Sequence, residues 1–253
     1  MEGPSVHAAA DELRVIEGER IDSVGGNADQ PLDDLHGRTI DMVRAVKKRL
    51  FLDCGDTHAV THFLMYGTYR LDEERDRDER LRIVTGSHEL NIYNGAVKVL
   101  TDGDELLQEY DRPEEDVLLP VFDREQALKA LQQRNSVVAS VLLDQDVFGG
   151  VGNIVKNEVL WEEGIDPRSP AAAIPGHRVD QLVDAAVRWT REWYAAKRSH
   201  LEKPFEVYQK GECADCGGDL ERAVSTCLTA KPWPAATRPR PRPAAAGRSP
   251  TGP

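Results

Sequence analysis

Residues 142–167 read LLDQDVFGGVGNIVKNEVLWEEGIDP, and this stretch decides the fold of the second half of the chain. One helix ends, a Gly-rich turn follows, and a second helix opens with Asn153 as its expected N-cap. Backbone N–H groups at a helix N-terminus bind phosphate, and glycines let another backbone approach closely. The plainer reading of the same spacing is an ordinary connection between two helices, punctuated by glycine caps.

Working outward, "DREQALKALQQRN" and "SVVASVLLD" also carry helical spacing. A long helix follows them, with Val179, Leu182, Val183, Ala186, Thr190, Trp193 and Tyr194 on one side. Upstream the period changes. "RTIDMVRAV", "RLFLDC", "AVTHFLM", "TYRL", "RLRIVT", "ELNIYN" and "AVKVL" are short alternating runs separated by Gly, Asp and Asn. They predict a β-sandwich or flattened barrel. "DEERDRDER" reads as a solvated hairpin tip, and "SVGGNADQP" as a turn-rich stretch. Residues 5–17 place Val6, Ala9, Ala10, Leu13 and Ile16 at helical spacing. The expected class is α+β: an N-terminal helix and β-sandwich, then a helical domain. The split falls near the acidic linker "YDRPEEDVLLP", giving domains at 1–112 and 113–203.

The 253 residues suit two compact domains, and no apolar run is long enough to span a membrane. Four cysteines make no disulfide framework and fit a reducing cytoplasm, and we expect a cytoplasmic, prokaryotic protein. The net charge is -12, which taken alone argues against nucleic-acid partners, because phosphate contacts need Lys and Arg. It fits a soluble acidic enzyme or a protein adapted to high salt, where charge repulsion is screened within ~3 Å at 1 M.

Cys213 and Cys216 form C-x-x-C in "YQKGECADCGG", half of a metal knuckle. A closed zinc site takes four ligands, and only Cys227 follows. Residues 204–224 therefore read as a partial zinc finger. The last stretch, 225–253, is rich in Pro, Arg and Ala and cannot pack a core. Its basic character offers a DNA-gripping arm or an attachment point for partners. An out-of-frame read of a GC-rich gene has the same composition.

Four motifs in order carry a resemblance. "MEGPSVH", "KKRLFLDCGDTHAVTHFLMYGTYRL", "GGVGNI…NEVLWEEGIDPRSP" and "YQKGECADCGG" are similar to segments of the formamidopyrimidine-DNA glycosylase and endonuclease VIII family, from residue 1 to about 223. The third is similar to its helix–two-turn–helix. The resemblance implies base-excision repair by a monomer. Such enzymes flip a damaged base out of double-stranded DNA, cleave its glycosidic bond and cut the strand at the abasic sugar. The nucleophile is the N-terminal amine, which forms a Schiff base.

Carried over by position, the resemblance makes Met1 the amine donor, Glu2 the catalytic carboxylate and Lys48 the lysine that assists elimination. Lys47 is adjacent, so this last match can slip by one. Asn153 would hold the phosphate beside the lesion, with Lys156 also among the DNA-binding residues. Leu64 and Met65 stand where the family inserts apolar side chains into the gap left by the flipped base. His62 would face the DNA backbone or sit as a satisfied core histidine. Zn2+ would be structural, held weakly or not at all by Cys213, Cys216 and Cys227.

Three departures matter. The family's mature chain starts with proline, and here Met1 stands in that place. "NIYNGAVKVL" lacks the Arg–Phe pair of many members, which favours the endonuclease VIII-like branch and oxidised pyrimidines. The second C-x-x-C and its phosphate-gripping arginine are absent, as after a frameshift or truncation. The rival function is a DNA-lesion-binding protein with impaired catalysis.

Overall fold

The computed structural model describes residues 1–213 and 217–220. Cys216, Cys227 and the stretch 225–253 lie outside the described residues.

The chain begins with α1 (Gly3–Leu13), capped by the backbone carbonyl of Glu2, which accepts from the N–H groups of Ser5 and Val6 at 3.0 and 3.1 Å. Pro4 suits the first turn, where its missing N–H costs nothing. Val6, Ala9, Ala10 and Leu13 form the buried stripe expected from their spacing. Residues Arg14–Ile16 continue as a short 3-10 turn.

Six strands follow: β1 (Ile21–Gly25), β2 (Met42–Val46), β3 (Arg49–Cys54), β4 (Thr57–Leu71), β5 (Leu81–Thr85) and β6 (Glu89–Thr101). They pair antiparallel in the order β1-β5-β6-β4-β3-β2. The seven sequence runs make five of these strands, because "AVTHFLM" and "TYRL" join into β4 and "ELNIYN" and "AVKVL" join into β6. The sixth strand, β1, begins two residues before the stretch read as a turn. Only Ile21 of β1 is fully buried, so this edge strand shows no alternation, and pairing with β5 creates it.

The long strands β4 and β6 pass from one half of the sheet to the other. Val43, Leu50, Leu52 and Phe63 from one half share a single core with Ile21, Ile83, Leu90 and Ile92 from the other. Residues of both halves thus belong to one core, as the expected sandwich requires. α1 covers the same core through Val6, Ala10 and Leu13. A smaller cluster on the opposite face joins Val46, Phe51, Val60 and Leu100 to Leu107 of α2 (Glu105–Tyr110).

A separate core unites the second half: α3 (Arg124–Gln133), α4 (Val138–Leu143), α5 (Asn153–Glu162) and α6 (Gly176–Arg198). The α6 stripe is buried as its spacing predicts, through Val179, Leu182, Val183, Ala186, Thr190 and Trp193. Asn153 is not the N-cap of α5. Gly152 is, and Asn153 is the first helical residue. The capping acceptor comes from the far end of the chain.

Candidate active site

Gly150 and Gly152 lie against the chain's beginning, and Gly149 against Lys47 and Glu115. Gly3 N–H donates to the Gly150 carbonyl at 2.9 Å. A Cβ on Gly149 would come within 2.7 Å of both Lys47 Cγ and the Glu115 carbonyl oxygen. A Cβ on Gly152 would run into the carboxyl group of Glu2. That carboxylate accepts from the N–H groups of Ile154 (2.7 Å) and Val155 (3.4 Å) in the first turn of α5. The helix N-terminus does bind an anion, but the anion is Glu2. These two N–H groups, expected to face a phosphate, are therefore occupied by the chain's own carboxylate.

Burial pushes the Glu2 carboxyl above the usual carboxylate range, against the pull of the two N–H groups and of Lys48. The Met1 amine lies 3.5 Å from the Phe63 carbonyl. Burial lowers its proton affinity; Glu2 opposes that shift and Lys48 adds to it. Burial lowers the Lys48 ammonium as well, with Glu2 pulling the other way. A desolvated amine, a carboxyl that holds its proton more tightly and a second desolvated amine thus meet at one point. Opposed shifts of this kind mark acid–base sites.

The two adjacent lysines have different jobs. They form the two-residue turn between β2 and β3. Lys47 takes φ 58, the left-handed region that suits glycine and costs another residue about 1–2 kcal/mol. Three contacts hold it there. Its N–H donates to Asp116 Oδ2 at 2.5 Å, its ammonium pairs with Glu115, and Asp146 Oδ1 lies 3.5 Å away. Asp116 is fully buried, and His7 Nε2 meets the same oxygen at 2.8 Å. Lys47 is therefore a structural post, and Lys48 is the lysine aimed into the site. His62 Nδ1 bonds the Lys48 carbonyl at 3.2 Å, and burial lowers its proton affinity.

Beyond Phe63 the pairing of β4 with β6 breaks and resumes at Thr68. Leu64, Met65 and Tyr66 stand out from the break, 44%, 77% and 86% exposed. Asn94 fastens the base of this tip by donating from Nδ2 to the Met65 carbonyl at 2.5 Å. Tyr66 was not singled out in the sequence. The available signal was the failure of alternation in "FLMY" before Gly67. Because Phe63 meets the Met1 amine, the apolar tip begins one residue from the reactive group.

Asn153 is exposed on the first turn of α5, and its Oδ1 accepts from Lys156 Nζ at 3.1 Å. Met1, Glu2, Lys48, His62, Leu64, Met65, Asn153 and Lys156 all fall in this region. Cys213 does not; its N–H donates to the Gly218 carbonyl in a separate Gly-rich turn, at 2.8 Å. Among the described residues, no three His, Cys, Asp or Glu side chains gather as metal ligands.

The acidic balance of the chain is not the balance of this site, where an α-amine and two lysines face one carboxylate. The site sets an exposed apolar tip beside a desolvated amine, on a sandwich followed by a helical domain.

Comparison with known proteins gives the lineage. A family described as the formamidopyrimidine-DNA glycosylase H2TH domain matches residues 114–201. Endonuclease 8-like 2 of Bos taurus is 40% identical over 101 residues, which is 40% of this chain and 30% of that protein. The match spans about three tenths of that relative's length. Endonuclease 8 of Klebsiella pneumoniae is 27% identical over 256 residues, 92% of this chain and 96% of that one. The crystal structure of the MutM (Fpg) protein from Thermus thermophilus shares the fold, with a TM-score of 0.79 at 23% identity over 89% of this chain and 94% of that one. Residues 114–201 thus match the H2TH domain of the formamidopyrimidine-DNA glycosylases, and the chain is similar to endonuclease 8 over most of its length.

Proposed function

We propose that this chain is a DNA glycosylase with abasic-site lyase activity, acting in base-excision repair on oxidised bases, with pyrimidines favoured. Residues 1–112 form the catalytic unit and residues 113–203 the DNA-gripping unit. The observation that carries the reading is the convergence of the Met1 amine, the Glu2 carboxylate and Lys48 at the N-terminus of α5. That convergence favours an enzyme over a lesion-binding protein without chemistry.

The base is extruded because its sugar carbon is inaccessible within the stack. Leu64, Met65 and Tyr66 fill the space it leaves. The neutral Met1 amine attacks C1′. The N–C1′ bond forms and the glycosidic bond breaks, its electron pair leaving with the base, which gains a proton. Opening of the C1′–O4′ bond, with a proton delivered to O4′, leaves an imine. Glu2 suits that delivery, since burial favours its protonated form. The imine of a primary amine must be protonated to withdraw electrons. Once it is, a C2′ proton is lost and the C3′–O3′ bond breaks, its pair leaving on the phosphate. Lys48 stands beside that charge.

Double-stranded damaged DNA in the cytoplasm is the expected partner, bound by a monomer. A structural zinc would draw on Cys213, Cys216 and Cys227, one thiolate short of a closed site, so its hold would be weak.

The test is to incubate the protein with an abasic-site duplex and sodium borohydride, then map the attachment. A covalent adduct at Met1 is expected. No adduct at low or high salt would overturn the reading.

A further inference from the structure

Lys156 breaks three local rules at once. It lies in the first turn of α5, where the helix dipole favours anions over cations. It is only 6% exposed, and burial lowers its proton affinity. It has no carboxylate within ion-pairing distance among the described residues, and its one side-chain hydrogen bond is to Asn153 Oδ1 at 3.1 Å. Glu2 acts on it only at longer range, because the Glu2 oxygens are taken by Ile154 and Val155. A buried, unpaired cation at the wrong end of a helix destabilises the free protein. Local rules broken without compensation mark functional positions.

The geometry explains the arrangement. Helical side chains lean toward the N-terminus, so a residue three positions along reaches back over the first turn. Lys156 is three residues beyond Asn153, on the same face. An ammonium has three donors and no acceptor. It must therefore face the oxygen of the Asn153 amide, which turns the NH2 group outward, toward solvent.

We propose that Lys156 is a positioning residue for DNA phosphate: it fixes the Asn153 amide with its NH2 outward, and the phosphate bound there supplies the counter-charge that Lys156 lacks. Lys156 does not touch the DNA. Both groups serve one ligand, and neither works at full strength alone. The inference rests on the proposed function, since it takes damaged DNA as the ligand.

The experiment is a double-mutant cycle on binding to a fluorescent duplex carrying a tetrahydrofuran abasic analogue, with Tm measured for every variant. Lys156→Met is expected to weaken binding about tenfold, and Asn153→Ala by a similar factor. The double variant should be no more than about threefold weaker than the weaker single variant. Lys156→Arg, which keeps charge and donors, should restore most of the affinity. Lys156→Met should also hold or raise Tm, because it removes an unpaired buried charge. Additive losses would mean that Lys156 contacts DNA independently, and a fall in Tm or failure to fold would mean a structural role. Either overturns the proposal. Absence of any binding by the unaltered protein would overturn the proposed function itself, and this inference with it.

Discussion

Gly152→Ala is the sharpest single test of how the site is built. Gly152 has φ -126 and ψ -162, an extended conformation that alanine adopts without strain. The nearest obstacle to the added methyl group is the Glu2 side chain. Glu2 must swing away and release the N–H groups of Ile154 and Val155. Overpacking of this kind costs about 2 kcal/mol, and we expect Tm to fall by about 4–8 °C. The catalytic loss should be larger than stability alone predicts, since a displacement of about 1 Å at a reacting group costs about 100-fold. The assay is the rate of borohydride trapping on an abasic duplex, with Tm measured in parallel. Gly103→Ala is the control, because a Cβ there meets nothing within 4 Å. If Gly152→Ala traps within about threefold of the parent and melts at the same temperature, the packing of Glu2 against α5 does not organise the site.

Two further predictions separate chemistry from stability. Glu2→Gln should abolish trapping yet raise Tm at neutral pH. The folded carboxyl binds its proton more tightly than the unfolded one, so wild-type stability from this group is full below the unfolded value of about 4.3 and is lost as pH rises through the folded value. The Tm advantage of the variant should therefore shrink toward zero in acid, and an advantage that grows in acid would contradict the assignment. Replacing Leu64, Met65 and Tyr66 together by Ala should leave stability within about 0.5 kcal/mol per site, because all three are exposed. Binding to an abasic-analogue duplex should weaken while binding to an intact duplex does not, and equal losses on both would argue against a wedge.

Where one physical signal dominates, the sequence was enough. α6 has an uninterrupted apolar stripe, and α1 packs the residues that its spacing named. Strand β1 was missed because its hydrogen bonds come from β5, some 60 residues later, and its side chains show no alternating burial. Asn153 was misplaced by one position for a similar reason. The rule for caps looks for a polar residue beside the helix, and the acceptor here is Glu2, 152 residues away. The Gly-rich turn was correctly read as a close-approach site, but what approaches it is the chain's own Glu2 and Gly3. Tyr66 escaped notice because exposure, not composition, distinguishes it from the core aromatics nearby. The partial zinc finger stays an expectation, because Cys216 and Cys227 lie outside the described residues.

The β2–β3 turn has one more consequence. Lys47 and Lys48 are the same letter twice, yet one is a post sealed against Glu115 and the other looks into the reactive centre. Their difference is carried by a backbone angle and by the acidic partners that surround Lys47. Exchanging the two residues would change nothing in the sequence, while shifting the hairpin by a single position would give Lys48 the duty of Lys47 and put Arg49 in its stead. Identity at this turn belongs to the place and not to the residue.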